Sequence, residues 1–165
     1  MQERPTMKVL LVEDDPGDVE LTQQAFSESQ LALDLRVVSN GEKALAFLRQ
    51  EREYRSAERP DLVFLDLNLP GLDGQEVLAE IRSDPHLKLI PVVIFSTSSD
   101  PEDINNSYKL GANCYLQKPA DLEEAPVIVQ CLENFWFNVV QLGQQFSQGF
   151  ENTERVFRGC LRSPS

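Results

Sequence analysis

Apolar and polar positions along the chain fall into two alternating rhythms. Short apolar runs, "KVLLVED" (8–14), "LRVVS" (35–39), "DLVFLD" (61–66), "PVVIFS" (91–96) and "NCYLQK" (113–118), read as strands, the first of them buried on both faces. Between them lie segments whose apolar residues return every three or four positions. Asp15-Pro16 opens the first, because a short acidic side chain suits the residue before a helix and proline suits its first turn; Val19, Leu21, Ala25 and Phe26 then recur with helical spacing. Gly41 introduces a second helix, "EKALAFLRQERE" (42–53), with Ala44, Leu45 and Leu48 on one side, and it gives way to polar loop over 52–60. "QEVLAEIRSD" (75–84) predicts a third helix. "EDINNSYKLG", after Asp100-Pro101, predicts a fourth with Gly111 as its stop. Residues 121 to 142 predict a fifth, apolar helix, with Pro126 leaving its start undefined.

Five strands alternating with five helices through short linkers predict an α/β fold: a five-stranded parallel sheet, doubly wound, with helices on both faces. In such folds a ligand binds beyond the carboxyl ends of the strands, where the strand order reverses. The residues that end the strands are therefore the candidates. They are Glu13, Asp14 and Asp15 after the first strand, Asp66 after the third, Ser96 and Thr97 after the fourth, and Lys118 after the fifth.

Composition narrows the choices. The 165 residues suit one compact domain over 1–141, followed by a tail, 142–165, expected to be partly disordered or a short helix. Lys and Arg number 15 against 27 Asp and Glu, a net charge of −12 that repels phosphate backbones and anionic lipid surfaces. Neither a nucleic acid nor a membrane is an expected partner. Cys114, Cys131 and Cys160 are odd in number and widely spaced, which suits a reducing interior. No signal-like or membrane-spanning apolar stretch is seen, so the expected location is cytoplasmic.

A carboxylate directly after an apolar strand, as at Asp66, costs desolvation energy unless it is paired. It either caps a turn or does chemistry. Three or four carboxylates brought together repel, and the remedies are raised pKa values or a bound divalent cation. Oxygen ligands without His or Cys favour Mg²⁺ over zinc. Lys118 offers a point charge suited to phosphate, and Ser96 a hydroxyl that can donate to a phosphoryl oxygen. Together with a metal they would neutralise a phosphoryl group passing onto Asp66.

The ordered set "VED" (12–14), "DLNLPGLDG" (66–74), "PVVIFSTSS" (91–99) and "YLQKP" (115–119) resembles the receiver domain of two-component response regulators over about residues 7–140. The resemblance implies the flavodoxin-like receiver fold. It implies Asp66 as phosphoacceptor, and Glu13, Asp14, Asp66 and the backbone carbonyl of Asn68 as the Mg²⁺ shell. Ser96 would be the switch hydroxyl, Tyr115 its aromatic partner, and Lys118 the phosphate lysine before Pro119. "SDPHLKLIPVV" and "ENFWFNVV" look like small single-domain regulators paired with bacterial phytochromes, which implies a phytochrome-type sensor histidine kinase as donor. Serine at 96, where threonine is commoner, still permits the hydroxyl switch. The resemblance implies a stand-alone regulator whose only chemistry is self-phosphorylation and slow self-dephosphorylation, signalling through altered protein contacts.

Other readings apply to individual residues. Asp15 is expected to cap the first helix, Thr97 to end a strand, and His86, the one histidine, to sit in an exposed loop. Tyr115 fits half-buried packing as well as a moving switch. On the fifth helix Ile128, Leu132, Phe135 and Val139 share one stripe, while Trp136, Phe137 and Val140 widen the apolar arc beyond one core face. Phe135, Trp136, Phe137 and Val140 are thus the expected surface of a homodimer formed through helix four, strand five and helix five; the alternative is that the tail folds back over them. Two rival functions are a phosphorylation-independent adaptor and a Mg²⁺-dependent phosphatase with Asp66 as nucleophile. The phosphatase would want an acid two residues on, where this chain has Asn68.

Overall fold

The computed structural model describes residues 6–29, 32–118, 129–130 and 133–134. Among them are strands β1 (Met7–Val12), β2 (Leu33–Val38), β3 (Leu62–Leu65), β4 (Val92–Ser96) and β5 (Cys114–Gln117), and helices α1 (Pro16–Ser27), α2 (Gly41–Leu48), α3 (Gly74–Ser83) and α4 (Pro101–Lys109). The strands form one sheet in the order β2-β1-β3-β4-β5, every neighbouring pair parallel. The order reverses beside β1, so β1 and β3 flank the switch point.

Side-chain alternation along each strand builds two cores. Leu10, Val12, Val63, Leu65, Val92 and Ile94 face α2 and α3, packing with Leu45, Leu48, Val77, Leu78 and Ile81. Met7, Val9, Leu11, Leu62, Phe64, Val93 and Phe95 face the other way and pack with Ala25 and Phe26 of α1 and with Val129. Of the expected fifth helix, Val129, Gln130, Glu133 and Asn134 are helical, and its other residues lie outside those described. So do Pro119, the interface candidates Phe135, Trp136, Phe137 and Val140, and the tail 142–165.

Helices α1 to α4 each begin on a side-chain cap. Asp15 accepts from the Asp18 N–H, Asn40 from Lys43, and Asp100 from Glu102, while Asp73 and Glu76 form a reciprocal capping box at α3. The second helix is shorter than its apolar pattern predicts and ends at Leu48. Gln50 adopts φ +58°, the Glu51 N–H reaches the Ala46 carbonyl at 2.9 Å, and the Gln50 N–H reaches Phe47 at 3.2 Å. That bond pattern reverses the chain. A single 3-10 turn over Arg52–Tyr54 stands where loop was expected, and it brings Tyr54 against Phe47 with ring centroids 5.3 Å apart. At the end of α4 the same motif falls on Gly111, at φ +103°, as the sequence predicts.

Candidate functional site

Extending the alternation past the strand ends places Glu13, Asp66 and Lys118 on the α1 side of the sheet. Their backbones remain in the ladder: the Glu13 N–H donates to the Val38 carbonyl at 3.0 Å, Asp66 to Val12 at 3.1 Å, and Lys118 to Ser96 at 2.8 Å. Three side chains from three strands are thereby held on rigid backbone rather than on loops.

Lys118 Nζ is the hub. It donates to Glu13 Oε2 at 2.5 Å, to Asp18 Oδ2 at 3.0 Å and to Asp66 Oδ2 at 3.1 Å, and it stands 5.9 Å from the centroid of the Phe95 ring. The side chains of Lys118, Glu13 and Asp66 are 5%, 2% and 6% exposed, whereas Asp18 is 36% exposed. One carboxylate oxygen each from Glu13, Asp14 and Asp66 lies within 4.8 Å of the others, Asp14 being the exposed member.

This cluster has more acid than base. Burial pushes the Glu13 carboxyl from 4.5 up to about 7; the nearby Asp66 charge pushes the same way, and the bond from Lys118 pulls it back in part. Burial alone would lower the Lys118 ammonium, but its bonds to Glu13 and Asp18 and the charge of Asp66 outweigh that and hold it above its ordinary value. The two shifts agree: the lysine stays charged, and the carboxylates still carry surplus negative charge. Hard oxygen donors with surplus negative charge, grouped at one end of the sheet, fit a divalent cation.

The loop after β3 sets the Asp66 backbone. The Asn68 N–H approaches Asp66 Oδ1 at 3.3 Å, and the Gly74 N–H donates to the Leu67 carbonyl at 3.0 Å. Gly74 packs directly on this turn: a Cβ there would stand 2.2 Å from the Asp66 carbonyl oxygen and 2.7 Å from Leu67 Cα. Only hydrogen allows α3 to start so close to the acid.

Ser96 and Tyr115 lie on the opposite alternation. The fully buried Ser96 hydroxyl accepts from the Ser98 N–H at 3.2 Å, and the Tyr115 hydroxyl donates to the Ser98 carbonyl at 2.7 Å. Ser98 Oγ donates to Asp103 Oδ2 at 2.6 Å, which ties this loop to α4. Ser98 thus joins Ser96, Tyr115 and α4 through hydrogen bonds.

Of the strand-end candidates Glu13, Asp14, Asp15, Asp66, Ser96, Thr97 and Lys118, the structure groups Glu13, Asp14, Asp66 and Lys118, while Ser96 lies on the opposite alternation. Asp15 caps α1 and His86 is exposed, as expected, and Thr97 is an exposed bend directly after the end of β4 at Ser96. Asp18, Ser98 and Asp103 were not anticipated. Asp18 reads from sequence as an ordinary first-turn acid of a helix, and nothing local signals that it meets a lysine 100 residues away.

Known proteins resemble this chain along most of its length. The family model "Response regulator receiver domain" matches residues 9–134. The chain is 44% identical over 141 residues to response regulator Rcp1 of Synechocystis sp., covering 86% of this chain and 96% of that protein. Among solved structures, the phosphorylated cyanobacterial phytochrome response regulator RcpA aligns with a TM-score of 0.75 at 50% identity, over 81% of this chain and 95% of its own. The Mn²⁺-bound form of Rcp1 aligns with a TM-score of 0.73 at 45% identity, over 79% and 94%.

Proposed function

This chain belongs to the response regulator receiver domain family, and we propose that Asp66 is the aspartate that accepts the phosphoryl group from the histidine kinase such a domain serves. The observation that carries this is the Lys118 ammonium bonded to Glu13 and Asp66 within a group of three carboxylates, Glu13, Asp14 and Asp66, at the switch point of the sheet. In the transfer the N–P bond of a phosphohistidine breaks as an O–P bond forms on Asp66, and the donor nitrogen takes up a proton. No redox change occurs. Mg²⁺ held by Glu13 directly or through water, by Asp14 and Asp66, and by the Asn68 carbonyl would supply charge neutralisation on the transferring oxygens. Lys118 does the same from the protein side and keeps its charge throughout the physiological pH range.

Phosphorylation adds up to about two negative charges and strong acceptor oxygens. Ser96 then turns its hydroxyl to the phosphoryl group and releases the Ser98 N–H, and Tyr115 rotates inward with the loop it is tied to. The face of α4, β5 and the following helix changes, and with it the affinity for a partner or a second copy. A phytochrome-type kinase is the donor this reading favours, because similar proteins carry that name at up to 50% identity. We place the protein in the cytoplasm, working as a receiver over 1–141 without an enzymatic output of its own. Among the described residues no helix is long and apolar enough to cross a membrane.

Intact mass after incubation with Mg²⁺ and a small acyl phosphate tests the assignment. One phosphoryl group is expected on the wild type and none on a folded Asp66→Asn variant. Equal labelling of that variant would remove Asp66 from the role.

A further inference from the structure

An ammonium group has three N–H donors, and those of Lys118 are all engaged: by Glu13 at 2.5 Å, Asp18 at 3.0 Å and Asp66 at 3.1 Å. A phosphoryl oxygen arriving at Asp66 reaches Lys118 only if one of these bonds is exchanged. The three acceptors are not equal in what they lose. Glu13 is 2% exposed and makes the shortest bond, so water cannot take the place of the lysine on it. Asp66 carries the incoming group. Asp18, with 36% of its side chain exposed, is the acceptor that water can satisfy.

We infer that Asp18 is a positioning residue: it holds Lys118 back in the unphosphorylated protein and competes with the phosphoryl group for the third N–H of the lysine. The inference rests on the reading of Asp66 as acceptor. Asp18 reaches the site from the first turn of α1, so the resting position of the lysine also links that helix to the acid cluster. Its backbone serves the helix independently of its side chain. The Asp18 N–H donates to Asp15 Oδ1 at 3.0 Å and its carbonyl accepts from Thr22 Oγ at 2.8 Å, so side-chain substitutions leave the start of α1 in place.

The test is calorimetric titration of the full chain with beryllofluoride in saturating Mg²⁺, comparing wild type, Asp18→Ala and Asp18→Asn. Removing the competitor tightens beryllofluoride binding about tenfold in the alanine variant, the worth of one charge-assisted hydrogen bond no longer exchanged. The asparagine oxygen still accepts, at about half the strength, so that variant gains about threefold. Unchanged or weaker binding by Asp18→Ala overturns the inference. An equal gain in both variants also overturns it, because that marks a lost charge and not a lost hydrogen bond. If the wild type itself binds no beryllofluoride while holding Mg²⁺, the acceptor reading of Asp66 fails, and this inference fails with it.

Discussion

Replacing Gly74 with alanine perturbs the site by a single methyl group at a known place. Ordinary van der Waals contact begins near 3.4 Å, and the new Cβ would stand 2.2 Å from the Asp66 carbonyl oxygen, 2.7 Å from Leu67 Cα and 2.9 Å from the Asp66 carbonyl carbon. About 1.2 Å of separation must therefore be found between the start of α3 and the end of β3. Neither side yields readily. Asp66 is bonded to Val12 at 3.1 Å, and α3 is seated by Val77, Leu78 and Ile81, each 0% exposed. Overpacking at a well-packed position costs ~1–3 kcal/mol, against which alanine regains ~0.4–1 kcal/mol by restricting the unfolded chain. A net loss of about 1–2 kcal/mol is expected in urea unfolding. Displacing Asp66 by about 1 Å should slow phosphorylation by one to two orders of magnitude, roughly what misplacement of a reacting group costs. Gly17→Ala is the control away from the acid cluster: its Cβ meets only Asp15 Oδ1, at 3.1 Å, and because that atom caps α1 the variant should stay within about 1 kcal/mol of wild-type stability and keep wild-type phosphorylation. A Gly74→Ala protein as stable and as readily phosphorylated as wild type would refute the close-approach argument.

Further outcomes follow from other parts of the fold. Arg82 donates to the carbonyls of Gly111 at 2.8 Å, Lys88 at 3.0 Å and Ile90 at 2.8 Å and to Asn113 Oδ1 at 2.7 Å, joining the loops before β4 and β5. Arg82→Ala should cost about 2–4 kcal/mol in urea unfolding, with lysine recovering less than half because it lacks the planar fork. Between about pH 4.5 and about 7 folded Glu13 holds a proton that the unfolded chain has released, so its stabilisation is fully present below that range and lost as pH rises through it. Metal-free wild type should then lose up to about 3 kcal/mol on going from about pH 5 to about pH 8, and Glu13→Gln should flatten the slope; equal slopes would contradict the shift. For the homodimer expected through Trp136 and Phe137, the wild type is expected to sediment as dimer and the combined Trp136→Ala, Phe137→Ala variant as monomer; equal sedimentation of the two would contradict that surface.

Much of the architecture was readable because β1, β3 and β4, buried along nearly their whole length, appear as bare apolar runs, and Asp15-Pro16 and Asp100-Pro101 mark the starts of α1 and α4; the edge strands β2 and β5 are partly exposed and mixed in composition. The site followed from one topological rule. Strand-end residues meet at the switch point, so Glu13, Asp66 and Lys118 could be grouped without a tertiary contact in hand. The early end of α2 was less legible: Gln50 in the left-handed region overrides a helical apolar pattern, and no glycine marks the turn. Asp73 and Glu76, by contrast, form a four-residue capping signal that lies open in the sequence. Asp18 and Ser98 were hidden for a different reason. Each acts through a contact across the fold, to Lys118 and to Tyr115, and each looks locally like ordinary polar residues of a helix start and a loop.

The most direct measurement is to locate the phosphoryl group itself. Wild-type protein phosphorylated in Mg²⁺ by a cognate kinase or a small acyl phosphate is reduced with borohydride, which converts an acyl phosphate to an alcohol at the modified side chain, and its peptides are weighed. The modification is expected on the peptide containing Asp66 and on that residue alone. Modification at Asp14 or elsewhere, with Asp66 intact, would contradict the account.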